Sequence, residues 1–295
     1  MKAKHWRRVI DRYRITDGAA FRLKDYDPGD IAAEHIDKED GPALLQAAVE
    51  RLAELQELLY PHASWALLCA FQGMDASGKD GTIKHVMSGV NPQGVTVTSF
   101  KAPGPEDLAH DFLWRISQAL PQRGKIGIFN RSHYEEVLVT RVHPDILTRQ
   151  RLPPDLIGKQ VWDRRLADIA AFERYLSHQG IVVLKFFLNI SRDEQKRRFL
   201  DRLDHPDKNW KFSTGDIAER EHWDEYQRAY EAAIQGTATK HAPWFAVPAD
   251  HKWFSRLIVI QAMIEALEAL ELKPIELSAT EDARLAEVRK QLEAE

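Results

Sequence analysis

Gly73-Met-Asp-Ala-Ser-Gly78-Lys79, followed by Asp80 and Gly81, holds the residues of this chain best suited to chemistry. Glycines at this spacing let backbone N–H groups turn inward around phosphate oxygens, and a helix N-terminus behind them adds a favourable dipole. Gly73, Ala76, Ser77, Gly78, Lys79, Asp80 and Gly81 are therefore read as phosphate-binding positions, with the Lys79 ammonium over the terminal phosphates. Such loops usually carry Ser or Thr after the lysine, where the hydroxyl meets Mg2+. Here that place holds Asp80, and a second carboxylate, Asp75, lies inside the loop. An acid within a phosphate cradle repels its ligand unless a cation lies between them, which makes Asp75 the candidate metal ligand. An outward-facing Asp75 that only tightens the turn is the plainer alternative.

Two further clusters carry charge at useful places. Asn130-Arg131-Ser132-His133-Tyr134-Glu135-Glu136 follows an apolar run. Polar residues at a strand's carboxyl end belong beside the phosphate loop, so Arg131 is placed to bridge transferring phosphates and Glu135 or Glu136 to touch metal or acceptor. Ser132 with Glu135 three residues on also spells a capping box, which leaves Arg131 free. The second cluster is the basic run from Arg192 to Arg202, continued by Lys208 and Lys211. A solvated helix face accounts for Lys196 and Arg202. The run ends before a polar, lid-like loop, where phosphate-transfer enzymes place charge-neutralising arginines, so Arg197 or Arg198 is assigned that role. Trp210 either packs the loop closed or anchors it. The histidines show no metal-ligand spacing, and Cys69 reads as a core residue.

These positions need elements to hold them. Strands are expected at 65–71, 94–100, 125–129, 181–188 and 245–248, and helices at 43–60, 82–88, 106–120, 134–141, 156–178, 192–203, 217–234 and 252–270. Strands alternating with helices imply a mostly parallel α/β sheet flanked by helices, with ligands at the strands' carboxyl ends. One domain over 1–295 is expected, with an N-terminal arm and helix (1–60), a lid loop (204–216) and a C-terminal helical tail (274–295). Residues 1–42 are rich in charge, Gly and Pro and read as an arm with no fold of its own.

Bulk properties narrow the classes. The chain has 295 residues, 44% hydrophobic and 29% charged, enough for one large core. A net charge of −4 argues against general binding of nucleic acid or anionic membranes. The single cysteine excludes an internal disulfide and fits a reducing, cytoplasmic setting. No stretch approaches the roughly 20 apolar residues of a membrane span.

The length and element order resemble the nucleoside and nucleotide kinases. More specifically, Gly73-Met-Asp-Ala-Ser-Gly-Lys-Asp-Gly81 and Phe129-Asn-Arg-Ser-His-Tyr-Glu-Glu-Val137 resemble the polyphosphate kinase 2 family. So do Lys208-Asn-Trp-Lys-Phe-Ser213, Trp223-Asp-Glu-Tyr226 and Pro243-Trp-Phe-Ala-Val-Pro-Ala-Asp-His-Lys-Trp253, within a likeness running from about Phe21 to Leu270. The resemblance implies a P-loop kinase fold with a lid, similar to thymidylate kinase. It also implies phosphate transfer between inorganic polyphosphate and the nucleotides AMP, ADP and ATP, with Mg2+ or Mn2+. Asp75, Lys79, Arg131 and Arg197 or Arg198 become catalytic positions on that view. Asn130, Arg131 and Glu135 become nucleotide contacts, and Lys208 and Lys211 contacts of the lid to polyphosphate. Many members carry Asp at the place of Asn130 and Asn at that of Glu135. The version here resembles the subgroup that accepts both AMP and ADP. A homo-oligomer, dimer or tetramer, is expected, with the tail and the helix at 43–60 as candidate contacts. Two rivals stay open: an ATP-dependent kinase of the same fold, and a regulator that binds nucleotide or polyphosphate without turnover.

Overall fold

The computed structural model describes residues 3–31, 36–207, 209, 213–276 and 278–295. In chain order its elements are α1 (Ala3–Asp11), β1 (Arg14–Ile15), α2 (Gly41–His62), β2 (Ala66–Gln72), α3 (Lys79–Val86), β3 (Val95–Ser99), α4 (Trp114–Gln118), β4 (Ile126–Asn130), α5 (Val139–Val142), α6 (Asp145–Arg149), α7 (Val161–His178), β5 (Ile181–Asn189), α8 (Arg192–Asp204), α9 (Thr214–Glu221), α10 (Trp223–Thr237), β6 (Trp244–Pro248), α11 (Lys252–Glu268) and α12 (Ala279–Glu293). The described strands form one sheet in the order β1-β6-β5-β2-β4-β3. All neighbours run parallel except β1, which is antiparallel to β6. This is the mostly parallel, helix-flanked sheet that the alternation of elements implies.

The order fixes where a ligand can bind. From β2 the chain goes to one side for β3 and β4, then crosses to the other side for β5. The carboxyl end of β2 is thus the point where strand order reverses, and ligands of open α/β sheets bind in that crevice. Register brings three strand ends level there: Phe71 pairs with Asn130, and Gln72 with Phe187.

β2 is buried throughout and β5 nearly so, as strands covered on both faces must be. Successive side chains of β2 go to opposite faces. Leu67, Cys69 and Phe71 join the larger core with Leu52 and Leu59 of α2 and Leu257 and Ile258 of α11. Ala66, Leu68 and Ala70 join a smaller core with Ile116, Phe129, Leu176 and Val183. Cys69 is fully buried, and desolvation pushes its thiol far above the ordinary range.

Several local expectations are corrected. The N-terminal arm has structure of its own: α1, then β1 on the sheet edge. Its buried residues Trp6, Val9, Ile10 and Tyr13 recur at helical spacing, a stripe hidden among the charges. The helix expected at 106–120 is interrupted because the Asp111 carboxylate accepts the Leu113 N–H at 2.9 Å, a local bond that competes with helix. The helix expected from 156 starts at Val161, behind Pro153, Pro154 and Gly158, and a separate short helix, α6, precedes it. At 133–136 the backbone is a short 3-10 turn. Ser132 caps that turn through Tyr134 N–H, but no capping box forms, because the Glu135 carboxylate turns to Arg131.

Candidate active site

The phosphate loop is built by backbone that few residues tolerate. At Gly73, with φ +154°, a Cβ would lie 2.7 Å from Ser77 Oγ and 2.9 Å from Leu188 O. Ala76 and Gly78 also take positive φ, at 61° and 105°. α3 begins at Lys79, so the loop delivers its ligand to a helix N-terminus. Lys79 is buried, and its Nζ donates to Gly73 O at 2.6 Å and Met74 O at 3.2 Å. Burial, with the nearby Arg131 charge adding to it, lowers its pKa to about 8 against the pull of Asp75, Glu135 and Asp80.

β4 brings the second cluster alongside. Arg131 holds a left-handed φ of 62° and donates its backbone N–H to Phe71 O at 3.0 Å. Its guanidinium spans two carboxylates, donating to Asp75 Oδ1 at 2.8 Å and Glu135 Oε2 at 3.1 Å. Next to it, Asn130 Nδ2 donates to Asp80 Oδ1 at 2.6 Å. Turned with its nitrogen toward Glu135, the buried Gln72 amide donates to Oε1 at 2.8 Å and accepts from Ser132. Asp75, Arg131 and Glu135, from two separate motifs, thus form one ion-paired group, with Lys79 near enough to feel their charges and Asn130 bonded to Asp80.

Beside Arg131 and Glu135 opens a cavity of about 470 Å3. Phe100, Pro103, Leu108, Val139 and Ile146 give it apolar walls, and Lys101, Arg115 and Arg149 supply cations. Arg115 lies over the Phe100 ring, 5.5 Å from its centroid. The size and mixed lining suit a small aromatic ligand that carries negative charge.

The sequence model of the family described as polyphosphate kinase 2 matches residues 35–274. The chain belongs to the polyphosphate kinase 2 family. It is similar to an ADP-polyphosphate phosphotransferase of Rhodopseudomonas palustris, with 46% identity over 95% of this chain and 97% of that protein. It is also similar to an AMP/ADP-polyphosphate phosphotransferase of Meiothermus ruber, with 45% identity over 90% and 95%. Among solved structures, a polyphosphate kinase 2 of Arthrobacter aurescens superposes with a TM-score of 0.83 at 43% identity, covering 92% of this chain and 95% of that one.

Other expected site residues of this polyphosphate kinase 2 member fall in different places. Arg198 is buried behind the loop, its Nη1 donating to Ala76 O at 2.9 Å and Ser77 O at 2.8 Å, and its Nε to Glu194 at 2.7 Å. It holds two carbonyls of the cradle in place. Arg197 is exposed and bonded to Glu194 at 2.6 Å. Lys208, Trp210 and Lys211 lie outside the described residues.

Some neighbours of the group carried no local signal in the sequence. Tyr230 of α10 takes a hydrogen bond from the Gly73 backbone, and burial together with the Glu135 carboxylate pushes its hydroxyl well up. Gln195 of α8 donates to Asp75 O at 2.9 Å. Asp216 of α9 pairs with Arg202 at 3.5 Å, and burial, then the Asp75 charge, raises its carboxyl.

Among the described residues no group of three or more His, Cys, Asp or Glu is arranged to hold a metal ion. Ser77 Oγ is buried in the loop without a hydrogen-bond partner and faces Gly73. The Asp75 carboxylate by itself fits a Mg2+-type ion, which keeps several waters and takes its other ligands from phosphate.

Proposed function

We propose that this protein transfers the terminal phosphate of inorganic polyphosphate reversibly to AMP and to ADP, with Mg2+ or Mn2+. The carrying observation is Arg131, which lines the acceptor cavity and also bonds Asp75 inside the phosphate loop. One guanidinium can therefore touch the acceptor's phosphate and the phosphate in transit. Two similar proteins are named for ADP and for AMP/ADP as substrates, which supports the choice of acceptors. A third, from Pseudomonas aeruginosa at 33% identity, is named for GDP, which makes guanine nucleotides the next acceptors to try.

In this reading the nucleotide enters the cavity with its base among the apolar walls and its phosphate toward Arg131. The chain's terminal phosphate lies in the loop, against backbone N–H groups and Lys79. An acceptor phosphate oxygen forms the new bond to phosphorus as the donor's P–O–P bond breaks, and the shortened chain leaves with the electron pair. The transition state is loose, so alignment and charge neutralisation by Lys79 and Arg131 supply most of the rate. The attacking oxygen is already ionised near neutral pH, so no strong base is needed. Asp75 would hold the divalent ion, which when bound screens the negative charge of the phosphates. The single cysteine supports a cytoplasmic setting. Among the described residues no helix is long and apolar enough to cross a membrane. The exposed Leu285, Val288 and Leu292 of α12 support self-association.

The test is Mg2+ with long-chain polyphosphate and AMP, ADP or GDP separately, with products resolved by chromatography. ATP from AMP by way of ADP is expected, with Lys79→Ala slower by on the order of 10²–10³-fold. ATP from ADP alone would sink the two-step reading. Polyphosphate that inhibits while ATP serves as donor would make the protein an ordinary nucleotide kinase.

A further inference from the structure

Arg131 stands in a backbone conformation that disfavours its side chain, and such strain persists only where the surroundings over-determine it. Upstream, its N–H is tied to Phe71 O at 3.0 Å. Downstream, Tyr134 runs from the same turn into the core. The Tyr134 ring packs edge-on against Trp244 at 4.6 Å, and its hydroxyl donates to Glu173 Oε1 at 2.7 Å. Glu173 lies on α7 and meets Lys185 of β5, whose Nζ donates to Glu173 Oε2 at 2.5 Å, Thr237 O at 2.7 Å and Tyr134 Oη at 3.2 Å. All three ammonium hydrogens are thereby used. Thr237 Oγ1 lies 2.8 Å from the tyrosine hydroxyl and accepts the Trp244 indole N–H at 2.9 Å.

Lys185 and Glu173 are 0% and 1% exposed. A buried ion pair often gives no more stability than apolar side chains of equal volume, so stability alone is a weak reason for it. Its geometry supplies a different one. α7, β5 and the end of α10 converge on one hydroxyl, three residues from Arg131, and β6 packs on its ring. The intervening His133 is buried, with neither ring nitrogen hydrogen-bonded and Nε2 3.5 Å from Glu173. Polar anchoring of the turn thus falls to Ser132 and Tyr134.

We propose that Tyr134, fixed by Glu173 and Lys185, is a positioning residue that holds the Arg131 backbone and so aims its guanidinium at the phosphate being transferred. The proposal rests on the role given to Arg131 above.

Tyr134→Phe keeps the ring against Trp244 and removes the hydroxyl alone. In the polyphosphate-to-ADP assay its kcat is expected to fall about tenfold to a hundredfold, as misalignment of this order does, with both KM values within about twofold of wild type. In an Arg131→Ala background the same change should cause almost no further loss, since the residue it positions is gone. Hydrogen exchange should quicken across 129–137 while β2 and β5 stay protected. Glu173→Gln, read in the same ways, is the second variant. Unchanged kcat with a lowered melting temperature, or an equal loss with and without Arg131, would overturn the proposal. So would unaltered exchange at 129–137. A wild-type protein inert toward polyphosphate would count against the proposed function instead, and exchange would still decide the positioning.

Discussion

Below pH 8 a Lys79 pushed down to about 8 is charged, and above it the free protein loses that charge first. A bound polyanion favours the ammonium, so ligand binding above pH 8 must take up a proton. The second-order rate constant kcat/KM, which reports groups of the free enzyme, should therefore fall on the alkaline side from about pH 8. Lys79→Arg should remove that limb, because guanidinium keeps its proton throughout. A profile flat to pH 10 in the wild type would contradict the lowered value. Lys79, Asp75 and Arg131 were legible in the sequence because each lies in a short motif whose chemistry is local. Tyr230, Gln195 and Asp216 were not, since they reach the loop from α8, α9 and α10. No spacing along the chain records that approach.

At the scale of elements, α8 separates two neighbouring arginines that the sequence could not tell apart. Arg198→Met would leave the Ala76 and Ser77 carbonyls without their buried donor and Glu194 with only the exposed Arg197 as its cation. Destabilisation of about 1–3 kcal/mol, the cost of buried acceptors left unsatisfied, and at least a tenfold loss of activity are expected. Arg197→Ala removes an exposed pair and should change stability by less than about 1 kcal/mol. Thermal melts of the two variants check the contrast, and equal effects would refute it. The helix phase of residues 192–204 was readable, but which arginine turns inward depends on where the loop carbonyls sit. The arm offers a second test. A Cβ on Gly18 would lie 2.2 Å from Gln235 O, where the arm passes the end of α10. Gly18→Ala should cost about 1–3 kcal/mol by overpacking, seen as a melting temperature lowered by several degrees.

For the whole molecule, the two chain ends make opposite predictions. Removing residues 1–16 deletes Trp6, Val9, Ile10, Tyr13 and Ile15 from the core, each worth about 1.5–3 kcal/mol. That variant should unfold many degrees earlier or fail to accumulate. Ending the chain at residue 274 removes α12, whose described side chains are all exposed, and should move the melting temperature by less than about 2 °C. Smaller particles in sedimentation after that truncation would support self-association through α12, and an unchanged size would count against it. The sheet was legible at this scale because β2, β4 and β5 are continuous apolar runs separated by helical ones. The edge strand β1 was not, since two residues carry no period.

Cys69 gives the molecule a practical property. As the sole cysteine, sealed in the middle of β2 with its thiol hard to ionise, it is inert to maleimides and other thiol reagents while the fold persists. A cysteine introduced at the exposed Ile217 of α9 would be the one site a dye can reach, with no native thiol to mutate away. Paired with a fluorescent nucleotide, such a label would report the distance between α9 and the bound nucleotide.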